Sequence, residues 1–325
     1  MKKKAIILYG PTASGKTELA FDIAQNIPSV LINADSRQIY KSLDIIVGKD
    51  IPLNTPFVTD QTDNINFTIG HYQLQNTKIY LLDIVDLLNI DFSVYDYINC
   101  VKKTLLEISE PNIPIFVGGS NFYISALINS PETAEIPPNY LLREKLSSES
   151  CVALRRILGS IDSSRLAQMN NSDKNNPRRL IRAIEVAEWK KEHTIQKYES
   201  VLSEYDICQI ALTAPLDLLR KKIDARVDAR VSEGGVDEAK KLFSTYEHIS
   251  ESLKKTNGYY ELFEYFKGNI SYTEAIQKWK FAEYHNAKKQ LTWIHGDSNI
   301  KKFSITDEYY SEKILQEIFD FLERE

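Results

Sequence analysis

Five short apolar runs punctuate the chain, at residues 5–9, 30–32, 79–85, 113–117 and 207–212. Most are rich in β-branched residues and continuous rather than alternating, the pattern of strands covered on both faces. Helical stretches lie between several of them, residues 16–26 and 94–109 among these. Strand–helix alternation of this kind predicts an α/β fold built on a parallel sheet with flanking helices. The pattern changes between residues 124 and 205, where the chain reads almost wholly helical. Pro131, Pro137 and Pro138 mark a linker into that segment. Asn176-Pro177 supplies a helix start, with Asn as N-cap and Pro at the first helical position. The expected organisation is therefore a core of residues 1–124 and 205–325, interrupted by a helical insertion at 125–204. Residues 54–78, polar with scattered β-formers, suit a loop or small hairpin, and the chain turns helical again from 213 to 293.

Composition narrows the class. The chain has 325 residues, 43% hydrophobic and 26% charged, as in folded globular proteins. No apolar run approaches the roughly 20 residues of a membrane span. The Lys2–Lys4 run is followed by an apolar stretch too short for a signal peptide, so a cytoplasmic protein is expected. Cys100, Cys151 and Cys208 show no metal-binding spacing and read as reduced, structural thiols. The net charge of −5 means that any nucleic-acid surface must be a local basic patch.

The sharpest chemistry lies in Gly10-Pro11-Thr12-Ala13-Ser14-Gly15-Lys16-Thr17, a full match to GxxxxGK[ST] between an apolar strand and a helix. The glycines let backbone N–H groups turn inward onto phosphate oxygens. Lys16 reaches the outer phosphate, the Thr17 hydroxyl is a ligand for Mg²⁺, and the helix behind points its positive end at the anion. Kinases and other nucleotide-using enzymes share this loop, so ATP is its default ligand until the rest of the chain is read. Asp35 and Asp83 each follow an apolar run. Either suits orienting the metal or acting as a base, and either reads equally as a cap on a strand-end turn. Lys222, Arg226 and Arg230 fall at i, i+4 and i+8 on one helix face, interleaved with Asp224 and Asp228. Arg178, Arg179 and Arg182 make a basic patch near a helix start, suited to backbone phosphates or to internal pairing with Glu185 or Glu188.

Further blocks follow in order: Asp35-Ser36-Arg37-Gln38-Ile39-Tyr40, then Leu43-Asp44-Ile45 and Lys49, Val117-Gly118-Gly119-Ser120 with Tyr123, Asn176-Pro177-Arg178-Arg179 running to Val186, Asn257-Gly258-Tyr259, and Ala287-Lys288-Lys289-Gln290-Leu291-Thr292-Trp293. Together with the loop, this set closely resembles the tRNA dimethylallyltransferase (tRNA isopentenyltransferase) family, from the first strand to Trp293. Without the zinc-finger cysteines that eukaryotic relatives add, the chain is similar to the bacterial type.

The resemblance implies a P-loop NTPase-like core and transfer of a dimethylallyl group from dimethylallyl diphosphate to N6 of adenosine 37, next to the tRNA anticodon. It implies Asp35 as the base, Thr12 at the reacting end, and Lys16, Thr17 with Mg²⁺ and Arg226 on the diphosphate. Asp35, Ser36, Arg37 and Gln38 are implied near the flipped adenosine. Ser120 and Arg143, with Arg178, Arg179 and Arg182, are implied along the anticodon stem-loop. A monomer is expected. The chain departs from the family at Val47, where a threonine is usual, at Ile79-Tyr80 in place of His-His, at Tyr260, and at Glu283-Tyr284 in place of Thr-Arg.

Overall fold

The computed structural model describes residues 2–52, 54–63, 67–87, 92–129, 133–134, 136–193 and 199–324. In chain order the elements begin β1 (Lys3–Tyr9), α1 (Lys16–Asn26), β2 (Ser29–Asn33), β3 (Phe57–Asp63), β4 (Phe67–Leu74), β5 (Thr77–Tyr80), α2 (Val94–Glu107) and β6 (Ile113–Gly118). Then come α3 (Asn121–Asn129), α4 (Tyr140–Leu146), α5 (Cys151–Ile161), α6 (Ser163–Gln168), α7 (Asn171–Lys174), α8 (Pro177–Glu192), β7 (Tyr205–Thr213), α9 (Leu216–Ser232) and α10 (Gly235–Phe243). A short 3₁₀ turn at Tyr246–His248 leads to α11 (Glu251–Lys254), α12 (Tyr259–Phe266), α13 (Tyr272–Gly296), β8 (Lys301–Ser304) and α14 (Tyr310–Glu323).

The strands form one sheet in the order β3-β4-β5-β2-β6-β1-β7-β8. β5, β2, β6, β1, β7 and β8 run parallel, and the β3–β4 hairpin adds an antiparallel edge. Along β1 the side chains alternate between two cores. Ala5, Ile7 and Tyr9 join the cluster that carries α2, α3, α9, α10, α12 and α13, and Ile6 and Leu8 join that of α1 and α14. A strand buried on both faces has no polar side to show, which explains its unbroken apolar sequence. This is the P-loop NTPase-like fold. Register matters for the site: Tyr9 pairs with Gly118 and Asn33 with Val117, so β1, β2 and β6 end level. Their following loops share one edge of the sheet, where the chain leaves the adjacent strands β1 and β6 in opposite directions, toward β2 and toward β7.

Between β6 and β7 the described residues hold helices and no strand. Leu146, Leu154, Leu158, Met169, Leu180 and Ile184 of that segment bury one another in a cluster of their own. Pro131 of the expected linker lies outside the described residues. One expectation needs correction. The run 79–85 is not one strand: β5 stops at Tyr80, and Leu81 and Asp83 take left-handed φ values of 64° and 54° that turn the chain. From Leu216 to Gly296 the chain is helical, as expected for 213–293, and β8 and α14 follow beyond that range. No helix among the described residues is long and apolar enough to cross a membrane.

Candidate active site

Residues 10–15 leave β1 and curl before α1 begins. Ala13 and Gly15 hold φ values of 62° and 86°, a left-handed pair that turns successive N–H groups the same way. Gly15 caps α1 with no side-chain hydrogen bond, so the first N–H groups of the helix are free for an anion. The cradle is unsatisfied in other ways. Among the described residues Ser14 Oγ is buried without a hydrogen-bond partner, and Lys16 Nζ donates only to the Pro11 carbonyl, at 2.8 Å. Burial pushes the Lys16 ammonium down to about 8, and the neighbouring Arg226 pushes the same way, against Asp35 and Glu283. A phosphate group would relieve both the solvation loss and the like-charge repulsion.

The loop opens on a cavity of about 520 Å³. Thr12, Lys16, Thr17, Asp35, Ser36, Arg37, Gln38, Ser120 and Arg226 all line it. Asn33, at the end of β2, shapes the Asp35 turn. Its amide donates to the Asp35 and Leu81 carbonyls at 3.1 and 3.0 Å, and its Oδ1 accepts from Asp35 N–H at 2.9 Å. Ser36 and Ser120 meet across the ends of β2 and β6: Ser120 Oγ accepts from Ser36 N–H at 2.9 Å and donates to Ser36 Oγ at 3.2 Å. Gln38 donates to the Gly48 carbonyl at 2.7 Å, and Arg37 to Ser252 Oγ at 2.9 Å, so each also ties a loop to the cavity rim.

Several sequence expectations change here. Asp83 does not line the cavity. It is buried, paired with Lys49, and accepts from Tyr72 Oη at 2.6 Å, while Lys49 also donates to the Tyr40 carbonyl at 2.7 Å. A buried carboxylate must be paired, and Lys49 and Tyr72 meet that demand. The arginines of the insertion divide. Arg143 grips Glu185 through two hydrogen bonds of 2.9 Å. Arg182 also pairs with Glu185 and donates to the Thr133 and Ile136 carbonyls at 2.6 and 2.8 Å. Burial pushes the Glu185 carboxyl up, but these bonds and the Asn139 N–H outweigh it and hold the group below its usual value. Arg143 and Arg182 are thus both tied to Glu185, while 27% and 31% of their side-chain surface stays exposed. Arg179 pairs with Asp173, and exposed Arg178 is close enough to act electrostatically on Glu251 of α11. On α9, Arg226 faces the cavity and pairs with Asp50 at 3.2 Å, whereas Lys222 is exposed to solvent.

Other cavity residues carried no sequence assignment. Gln290 of α13 accepts from Thr12 N–H and donates to the Gly119 carbonyl, both at 2.9 Å, pinning the phosphate loop to the loop after β6. Its place in the Ala287–Trp293 block was the only sequence signal. Trp293, three residues on, packs its ring 5.1 Å from that of Tyr9. Arg230 and Glu283 also line the cavity.

Fold and loop together define a P-loop protein whose anion cradle faces a carboxylate across one polar cavity. A family model described as IPP transferase matches residues 67–297, and relatives extend the likeness across the loop and Asp35. A tRNA dimethylallyltransferase of Streptococcus mutans serotype c is 31% identical over 330 residues, covering 99% of both chains. That of Halalkalibacterium halodurans is 31% identical over 99% of this chain and 97% of its own. Among solved structures, the full-length tRNA isopentenylpyrophosphate transferase from Bacillus halodurans is 29% identical, with a TM-score of 0.66 over 99% of this chain and 96% of that one. A eukaryotic dimethylallyltransferase acting on tRNA, 22% identical, shares the fold with a TM-score of 0.75 over 98% of this chain and 79% of its own. The chain belongs to the IPP transferase family.

Proposed function

We propose that the chain transfers the dimethylallyl group of dimethylallyl diphosphate to N6 of adenosine 37 in the anticodon stem-loop of tRNA, releasing diphosphate. The observation that carries this reading is the shared cavity of the loop and Asp35. An exocyclic amine of adenine is a weak nucleophile because its lone pair is delocalised into the ring. As the N–C bond forms, Asp35 takes the departing proton, the allylic C–O bond breaks, and its electron pair leaves on the diphosphate. Lys16, the loop N–H groups and Arg226 stabilise that charge where it develops. Thr12 stands at the reacting end.

Mg²⁺ fits this cradle as a shared ligand. Among the described residues no group of three or more His, Cys, Asp or Glu side chains is placed to cage a metal. The Thr17 hydroxyl would hold the ion together with phosphate oxygens and water, as P-loops do. When bound, it neutralises charge on the leaving group. The base must leave its stack to enter the cavity. Arg178, exposed at the start of α8 and electrostatically coupled to α11, is the member of the basic patch best placed for RNA phosphates, with the protein acting as a monomer in the cytoplasm.

Asp35→Asn tests the assignment. It removes the base while keeping the turn, so transfer to an unmodified stem-loop should fall by about 10²–10⁴-fold. Stem-loop binding, followed by fluorescence anisotropy, should stay within a few-fold of wild type. Undiminished transfer by the variant would refute the role.

A further inference from the structure

Arg230 is the least explained charge in the molecule. It lies on the last turn of α9 with only 6% of its surface exposed, and what is exposed faces the cavity. Among the described residues its guanidinium makes no hydrogen bond and no ion pair. A second guanidinium, that of Arg226 one turn earlier, lies close beside it and acts on it electrostatically. Burial pushes Arg230 down to about 10, Arg226 adds to that, and Glu283, Asp50 and Asp35 oppose it.

Gly48 shows that the space around the pair is built. It sits at φ 62°, and a Cβ there would lie 2.2 Å from one Arg230 nitrogen and 2.4 Å from one of Arg226. Two guanidiniums therefore press against one bare stretch of backbone beside Val47, which offers no hydroxyl to a ligand. Glu283, half-buried on α13, answers them from across the cavity. Loss of water raises its carboxyl, and Arg230 and then Arg226 act the other way. Lys16, Arg226 and Arg230 are thus among the basic side chains that line the cavity, against two acids, Asp35 and Glu283. A buried cation with no bonded partner costs free energy unless a ligand completes it.

We propose that Arg230 is a second guanidinium clamp on the donor's diphosphate, and that Glu283 is a positioning residue that holds its place until the donor enters. This rests on the reading of the cavity as a prenyl diphosphate site. The diphosphate displaces an internal counter-charge as it binds, and a polar group on α9 takes up the grip that Val47 cannot give.

Inorganic pyrophosphate with Mg²⁺, titrated by calorimetry, tests this without RNA or turnover. Arg230→Gln should weaken pyrophosphate binding by about tenfold or more, the scale of a lost charge-assisted hydrogen bond. Arg230→Lys, keeping the charge, should fall between that variant and wild type. Glu283→Gln should tighten binding several-fold, because it removes a competing anion; a merely structural role for the pair would weaken binding in both. Thermal unfolding of each variant separates misfolding from lost affinity, and if Arg230→Gln does not fold, Arg230→Lys and Glu283→Gln carry the test. Unchanged pyrophosphate affinity in Arg230→Gln, weaker binding in Glu283→Gln, or a loss of stem-loop affinity alone would overturn the proposal. If wild type binds pyrophosphate through Arg230 but transfers no prenyl group, the clamp stands and the proposed reaction falls.

Discussion

At Lys16 the cavity sets a charge against its own solvation. Its depressed value, about 8, means that the free protein loses this cation as the pH rises through that point. A bound diphosphate favours the ammonium and raises the value again. The ratio kcat/KM for the donor, which reports the free protein, should therefore decline above about pH 8, while kcat holds to higher pH. Initial rates across pH 6–10 check this, and a kcat/KM flat through the range contradicts it. The sign for stability follows from the same shift. Between about pH 8 and the ordinary lysine value the unfolded chain holds more protons than the folded one, so the cost of burying Lys16 is full at lower pH and fades as pH rises through that window. A cradle that pays this cost when empty is organised for its anion.

Helix α13 is the element on which the site depends without supplying its chemistry. Gln290 satisfies Thr12 N–H and the Gly119 carbonyl at once, so it fixes the distance between the phosphate loop and the loop after β6. Gln290→Ala should lower kcat/KM by about 10- to 100-fold through misplacement of Thr12, with a stability loss of only about 1 kcal/mol. Steady-state kinetics beside a thermal melt checks the split, and a large melt shift with unchanged kinetics would contradict it. Elements defined by local sequence were legible in advance. β1 and α1 follow from an apolar run, a glycine-rich turn and a helical period, and the structure places them at Lys3–Tyr9 and Lys16–Asn26. Asp83 was not legible, because its role depends on Lys49 and Tyr72, which reach it only after folding. β8 escaped notice for a similar reason: its four residues are half exposed or more, and only pairing with β7 makes them a strand.

For the whole molecule, charge and function separate by location. A net charge of −5 argues against a nucleic-acid surface, yet seven basic side chains line one cavity and Arg178 stands exposed near α11. Within the insertion Arg143 and Arg182 also pair with Glu185, a contact that sequence spacing alone does not reveal. What sequence did reveal was the association of loop, Asp35 turn and Gly118-Gly119-Ser120, which the level ends of β1, β2 and β6 bring together. The central claim is that this joint site moves a prenyl group rather than a phosphoryl group. The most direct measurement is mass analysis of the nucleosides from an unmodified anticodon stem-loop incubated with the protein and Mg²⁺, once with dimethylallyl diphosphate and once with ATP. The account predicts adenosine 37 carrying one dimethylallyl group in place of a hydrogen with the first donor, and unaltered RNA with the second. Unaltered adenosine with the allyl donor, or a phosphorylated product with ATP, would contradict it.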